Sequence, residues 1–129
     1  MRICKSFCVG FPIAGLCLDA QIQLGVPMLQ IRPHCEACDT DLPPDAANAR
    51  ICSYECTFCA DCVGNLLGNV CPNCGGGLYA RPIRPAIARR PGVGLTHQPA
   101  SSERVHLKFS RQEVADFAAM FRHIPPADR

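Results

Sequence analysis

With 129 residues, no tryptophan and only eight aromatic side chains beside 12 prolines and 10 glycines, the chain cannot build a large hydrophobic core. The net charge of +2 is uneven: residues 28–85 carry four arginines against six acids, and residues 86–129 carry seven basic side chains against four acidic ones. An acidic centre is poorly suited to gripping phosphates, which takes a basic face, and no apolar run is long enough to predict a transmembrane helix.

Residues 1–27 open with two basic residues and an apolar run that faintly resembles a signal peptide. Pro12 interrupts the run, Asp19 stands where a cleavage site needs a small neutral residue, and Leu16 before Cys17 lacks the small residue of a lipoprotein signal. The segment reads as an upstream extension outside the fold, with Met28 as the start of a shorter protein and Cys4, Cys8 and Cys17 as non-ligands. From Met28 onward, Leu29 and Ile31 alternate with Gln30 and Arg32 and predict a short strand. The two prolines and three aspartates of residues 39–49 predict a loop. Residues 50–58, RICSYECTF, alternate with β-formers and predict a tight hairpin carrying Cys52 and Cys56. After Cys59, a short helix with Val63, Leu66 and Leu67 on its buried side should end at Gly68 and Asn69. CPNCGGG forms a last turn, and LYARPIRP leaves as an extended, proline-marked strand.

Residues 86–108 have a linker's composition, rich in Pro, Gly, Ser and Arg with no apolar period. Ser110 with Glu113 makes a capping box, and Phe109 is placed to staple onto Val114. Val114, Phe117, Phe121 and Ile124 recur at helical spacing, predicting an amphipathic helix over 111–123 that Pro125 and Pro126 terminate. That stripe either packs back on the preceding module or docks a partner.

Eight of the eleven cysteines fall between Cys35 and Cys74 as C-x2-C-x13-C-x3-C-x2-C-x2-C-x8-C-x2-C. Cys35/Cys38, Cys59/Cys62 and Cys71/Cys74 are two-residue knuckles that aim both sulfurs at one ion, and Cys52/Cys56 has one extra residue within the same reach. The spacing predicts two zinc ions rather than disulfides, replacing the missing core: metal binding in small finger domains is itself folding free energy. Successive pairs could share an ion, or alternate pairs could. Because Cys56 and Cys59 are three residues apart, sequential sites would crowd both ions at one hairpin tip, so spacing favours the interleaved sets Cys35, Cys38, Cys59, Cys62 and Cys52, Cys56, Cys71, Cys74.

This spacing, Phe58 before Cys59, a helix opening at Cys62 and the CPNC ending resemble the cross-brace RING domain, with Cys56 where that family often has histidine. The span from Met28 to Pro85 is still more similar to the bacterial domain-of-unknown-function family 1272, and PASSERV (99–105) is similar to that family's downstream segment. The resemblance implies a cytoplasmic bacterial metal-binding protein. The expected architecture is a small metal-stabilised α+β module of treble-clef, RING-like type over 28–85, then a flexible linker over 86–108 and a helical tail over 109–129.

The expected function is that of a non-enzymatic structural zinc module acting as a protein-interaction adaptor, without catalytic residues or membrane contact. Eight thiolates in closed sites leave no open coordination position for substrate. His34 beside the first ligand is expected to support the site or face solvent, and His97, His106 and His123 have no carboxylate or nucleophile at motif spacing. A ligase role fares badly, since Glu36 and Ala37 stand where a ubiquitin ligase of RING type carries an aliphatic contact. That leaves a degenerate RING used for binding, or nucleic-acid binding through Arg89, Arg90, Arg104, Lys108 and Arg111, as alternatives.

Overall fold

The computed structural model describes residues 28–129; the N-terminal extension with Cys4, Cys8 and Cys17 lies outside the described residues. At the centre is the expected hairpin. β1 (Ala49–Ile51) pairs antiparallel with β2 (Thr57–Cys59), in register from Ala49 opposite Cys59 to Ile51 opposite Thr57. The turn between them closes when Cys52 N–H donates to Cys56 O (3.2 Å) and Glu55 N–H to Cys52 O (3.0 Å), with Glu55 in the left-handed region at φ 69°. β3 (Tyr79–Ala80) pairs on the other side of β1, giving a three-stranded sheet of order β2-β1-β3. The strand predicted for LYARPIRP is thus two residues long.

β2 runs directly into α1 (Ala60–Cys62), which widens into a π-helical turn over Val63–Leu67. Gly68 and Asn69, with φ of 55° and 60°, end it as expected, because both take left-handed backbone that a helix cannot continue. Leu67 is fully buried, with Val63 and Leu66 partly so. The core holds Leu42, Ala49, Phe58, Leu67, Leu78 and Val114 together with Cys35, Cys52, Cys56, Cys59 and Cys71. Five of these eleven residues are cysteines, so the interior is too poor in hydrocarbon to hold the chain by apolar burial alone.

The strand predicted at Leu29–Ile31 does not form. The carbonyls of this segment are taken by other groups: Arg84 Nη2 donates to Leu29 O (2.6 Å) and Ser101 N–H to Ile31 O (2.9 Å). Ile31 is buried regardless, so the alternation that suggests a strand reflects burial without ladder pairing. Arg81, 4% exposed, fastens the neighbouring loop by donating from Nη1 to Arg32 O (2.9 Å) and from Nη2 to Leu42 O (3.2 Å) and Pro43 O (2.8 Å).

Residues 86–108, read above as a linker, contain no helix or strand, and from residue 101 they are fastened to the module. Val105 N–H donates to His34 Nε2 (2.9 Å), Leu107 N–H to Glu36 O (3.2 Å), and Arg104 Nη2 reaches Asp39 Oδ1 (3.1 Å) and Asp41 Oδ1 (3.0 Å). α2 (Arg111–Phe121) then starts on the predicted capping box: Glu113 N–H donates to Ser110 Oγ (3.1 Å) and Ser110 N–H to Glu113 Oε1 (2.8 Å). Val114 and Ala118 are buried and α2 packs on the π-helical turn, so the apolar stripe folds back onto the module. Phe109 remains 44% exposed at the rim of a depression that Val114 also lines. A last turn over Pro126–Asp128 brings Arg129 to donate to Asn69 O and Gly75 O, both at 3.0 Å. Among the described residues, no helix is long and apolar enough to cross a membrane.

Candidate metal centres

Two outer knuckles are built on one backbone template. In the first, Asp39 N–H donates to Cys35 O (2.9 Å) and Cys35 N–H to Thr40 O (2.9 Å); in the last, Gly75 N–H donates to Cys71 O (2.7 Å) and Cys71 N–H to Gly76 O (2.9 Å). The residue after each second cysteine is left-handed, Asp39 at φ 64° and Gly75 at φ 82°. The two inner pairs are set by the hairpin: Cys52 and Cys56 flank its turn, and Cys59 and Cys62 bracket the step from β2 into α1.

The pairs interleave in space. Cys35, Cys38, Cys59 and Cys62 bring their four sulfurs within 4.8 Å of one another, and Cys52, Cys56 and Cys71 do the same. Cys74 lies outside that second group of three, exposed, and lines a surface depression together with Tyr54, Cys56 and Asn73. Cys38 Sγ and Cys59 Sγ are 3.7 Å apart. With metal–sulfur bonds of about 2.3 Å, the edge of a tetrahedron of sulfurs is about 3.8 Å, so these donors fit a shared ion and are too far apart for a disulfide. Two cysteine groups can therefore hold metal ions.

Electrostatics point the same way. Burial pushes Cys35 and Cys62 up, and contacts with the sulfurs of Cys52 and Cys56 push Cys71 up. Thiol donation from Cys56 and Cys71 holds Cys52 down at about 3. For Cys38, burial works upward but is outweighed by the hydroxyl and amide of Thr40 and the neighbouring sulfurs, leaving it at about 7. One thiolate in each cluster is favoured by its neighbours, and further ionisation is opposed by charge and desolvation; a divalent cation removes that opposition by replacing the protons.

Sequence reasoning missed how the first knuckle is supported. Glu36, 4% exposed, lies between two ligands, and its carboxylate accepts from Arg32 Nη1 (2.6 Å), Thr57 N–H (2.8 Å) and Asn73 Nδ2 (3.3 Å). Asn73 belongs to the last knuckle, so one carboxylate ties the two metal groups together. An acid inside a knuckle is the only sequence signal of this, since its partners are 21 and 37 residues away. His34, expected to support the site or face solvent, is fully buried. Its Nε2 accepts from Val105 N–H, which leaves the proton on Nδ1, facing Cys35 O (2.9 Å) and Asp39 Oδ1 (3.0 Å). A third cluster, His34, Asp39 and His106, has metal-ligand residue types. Both nitrogens of His34 are already hydrogen-bonded and Arg104 pairs with Asp39, so this cluster is a strut.

The family described as "Protein of unknown function (DUF1272)" matches residues 28–84. An uncharacterised protein of Rhizobium meliloti (strain 1021) is 55% identical over 78 residues, covering 60% of this chain and 86% of that protein. No solved structure matches the chain. With all eight clustered cysteines inside the matched span, the chain belongs to the DUF1272 family.

Proposed function

We propose that the chain is a non-enzymatic, cytoplasmic zinc module, braced by two Zn2+ in a RING-like, treble-clef cross-brace, that presents its surface to another protein. The observation that carries this is the gathering of Cys35 and Cys38 with Cys59 and Cys62 across 21 residues, at tetrahedral spacing. Soft thiolates in a four-sulfur set select zinc over hard cations, and four sulfur ligands make a structural site. Aromatic and aliphatic side chains exposed on the surface, among them Tyr54, Tyr79, Ile83 and Ile87, suit protein contacts.

Within that reading the RING-like scaffold lacks the ligase contact. Glu36 is turned inward onto Arg32, Thr57 and Asn73, and Ala37 offers a single methyl group. Nucleic-acid binding through Arg89, Arg90, Arg104, Lys108 and Arg111 has less support, because Arg104 among them donates to Asp39 and Asp41 of the chain itself. Metal analysis of the purified chain tests the basis: two zinc ions per chain, with loss of the far-ultraviolet circular dichroism signal on chelation, is the expected result. A ratio well below two with oxidised cysteines overturns it. The adaptor role requires a protein that binds the zinc-loaded chain and releases the stripped one.

A further inference from the structure

The segment that composition marks as a linker contains a built loop. Its two arms are joined where Leu95 N–H donates to Pro85 O (2.8 Å) and where Arg84 Nη1 donates to Gln98 O (2.7 Å). Gln98 braces the inside: its Nε2 donates to Gly92 O (2.7 Å) and its Oε1 accepts from Gly94 N–H (3.2 Å). Gly94 is buried at φ 121°, and a Cβ there would stand 3.2 Å from Pro85 O and 3.4 Å from backbone atoms of Ala88, so glycine is what lets the arms come this close. None of residues 86–98 adds a side chain to the core cluster, and these hydrogen bonds serve the shape of the loop itself.

That shape displays one patch. Ile87 (61% exposed) and Val93 (46%) sit beside the contact of Ala88 with Gly94, and Arg89, Arg90 and Pro91 form the exposed tip between them. Among the described residues, neither Arg89 nor Arg90 pairs with a carboxylate or donates a side-chain hydrogen bond, whereas the guanidinium groups of Arg84, Arg104 and Arg129 are taken by the chain itself.

We propose that the loop over 85–98 is the docking element of the adaptor, and that it receives a protein segment in which paired carboxylates flank an aliphatic side chain. This rests on the protein-binding reading above and names its surface. Charge complementarity selects the partner: two guanidinium groups without acids of their own match two carboxylates, and Ile87 and Val93 give an aliphatic side chain something to cover. An extended polyanion suits the loop less well. The loop has no Phe, Tyr or Trp on which bases could stack. A nucleic acid or an anionic membrane reaching past the tip also meets residues 28–85, with six acids against four arginines, and a short acidic segment ends before that repulsion begins. The bracing adds to the fit, because a loop already held in shape loses less conformational freedom on binding than a free linker does.

The test uses the zinc-loaded full chain, labelled with 15N, and a blocked peptide of three Glu-Glu-Leu repeats, followed through the amide shifts. Saturable shifts at residues 86–98 are expected, weakening as salt is raised. Replacing Glu by Gln in the peptide, or combining Arg89→Gln with Arg90→Gln in the chain, should weaken binding about ten-fold, and replacing Leu by Ser in the peptide about three-fold. If the double variant does not fold, the two altered peptides decide. Gln98→Ala keeps both charges and removes the brace, and should weaken binding about three-fold. Shifts that fall on the zinc module in place of the loop overturn the assignment and leave the adaptor reading standing. Equal binding of the Gln and Glu peptides, or tighter binding of single-stranded oligothymidylate or of phosphatidylserine vesicles, overturns the partner chemistry. A chain that binds neither this peptide nor any protein loses the proposal and the adaptor reading together.

Discussion

The two metal centres draw on the same ligand chemistry and differ in what surrounds it. The first is a closed group of four sulfurs, clamped from outside by the chain's own later residues, with Val105 on His34, Leu107 on Glu36 and Arg104 on Asp39. The second has three buried sulfurs at the hairpin turn and the last knuckle, with its fourth facing solvent. Identical knuckle backbones thus end differently: the exposed Cys38 stays within its group of four, and the exposed Cys74 lies outside its group of three. Between them runs the Glu36 carboxylate, which accepts from a residue of each half.

The sharpest break in this comparison comes from Cys59→Ser against Cys74→Ser. Structural zinc contributes about 10–16 kcal/mol in small finger domains at neutral pH, so losing a buried ligand of the complete four-sulfur centre should abolish the fold, read as loss of circular dichroism and of both metals. Cys74→Ser should retain the dichroism. Next in size is Glu36→Ala, which strands Arg32, Thr57 N–H and Asn73 and should cost about 3 kcal/mol in denaturant unfolding. Native mass spectrometry during zinc titration adds a second readout: the half-loaded species should be more populated in Glu36→Ala than in the wild-type chain, because the carboxylate ties the two metal groups together. Ser110→Ala removes the cap of α2 and should cost about 1 kcal/mol, loosening the cover over the π-helical turn while leaving metal content at two. Smallest of all is Arg104→Ala. Its partners Asp39 and Asp41 are exposed, so the thermal midpoint should not move measurably in moderate salt, where such surface pairs are screened.

Much of the metal framework was legible because ligand pairs are local: a C-x2-C turn depends on four consecutive residues, and the three-residue gap from Cys56 to Cys59 is too short to separate two sequential ions. The hairpin, the stop at Gly68 and the Ser110–Glu113 box were legible for the same reason. The clamp was not. His34 and Val105 are 71 residues apart and meet through a backbone amide, which leaves no mark on side-chain chemistry. Leu29 and Ile31 misled because alternation reports burial, whereas a strand also needs a ladder partner, and Arg84 and Ser101 occupy those carbonyls. Whether Phe117 and Phe121 faced the module or a partner depended on a docking angle that helical period does not encode. Phe117 Cζ lies 3.8 Å from where a Cβ on Gly75 would stand, which places that stripe against the last knuckle.

The fastening of residues 101–107 across the first knuckle means that the fold ends later than its cysteines do. A chain trimmed after residue 85 keeps every cysteine, but it uncovers the imidazole of His34 and leaves the carbonyls of Ile31 and Glu36 to water. The family match stops at residue 84, so sequence boundaries and mechanical boundaries diverge here by some forty residues. Arg129 latches onto Asn69 and Gly75, so packing onto the module continues to the end of the described residues, 28–129.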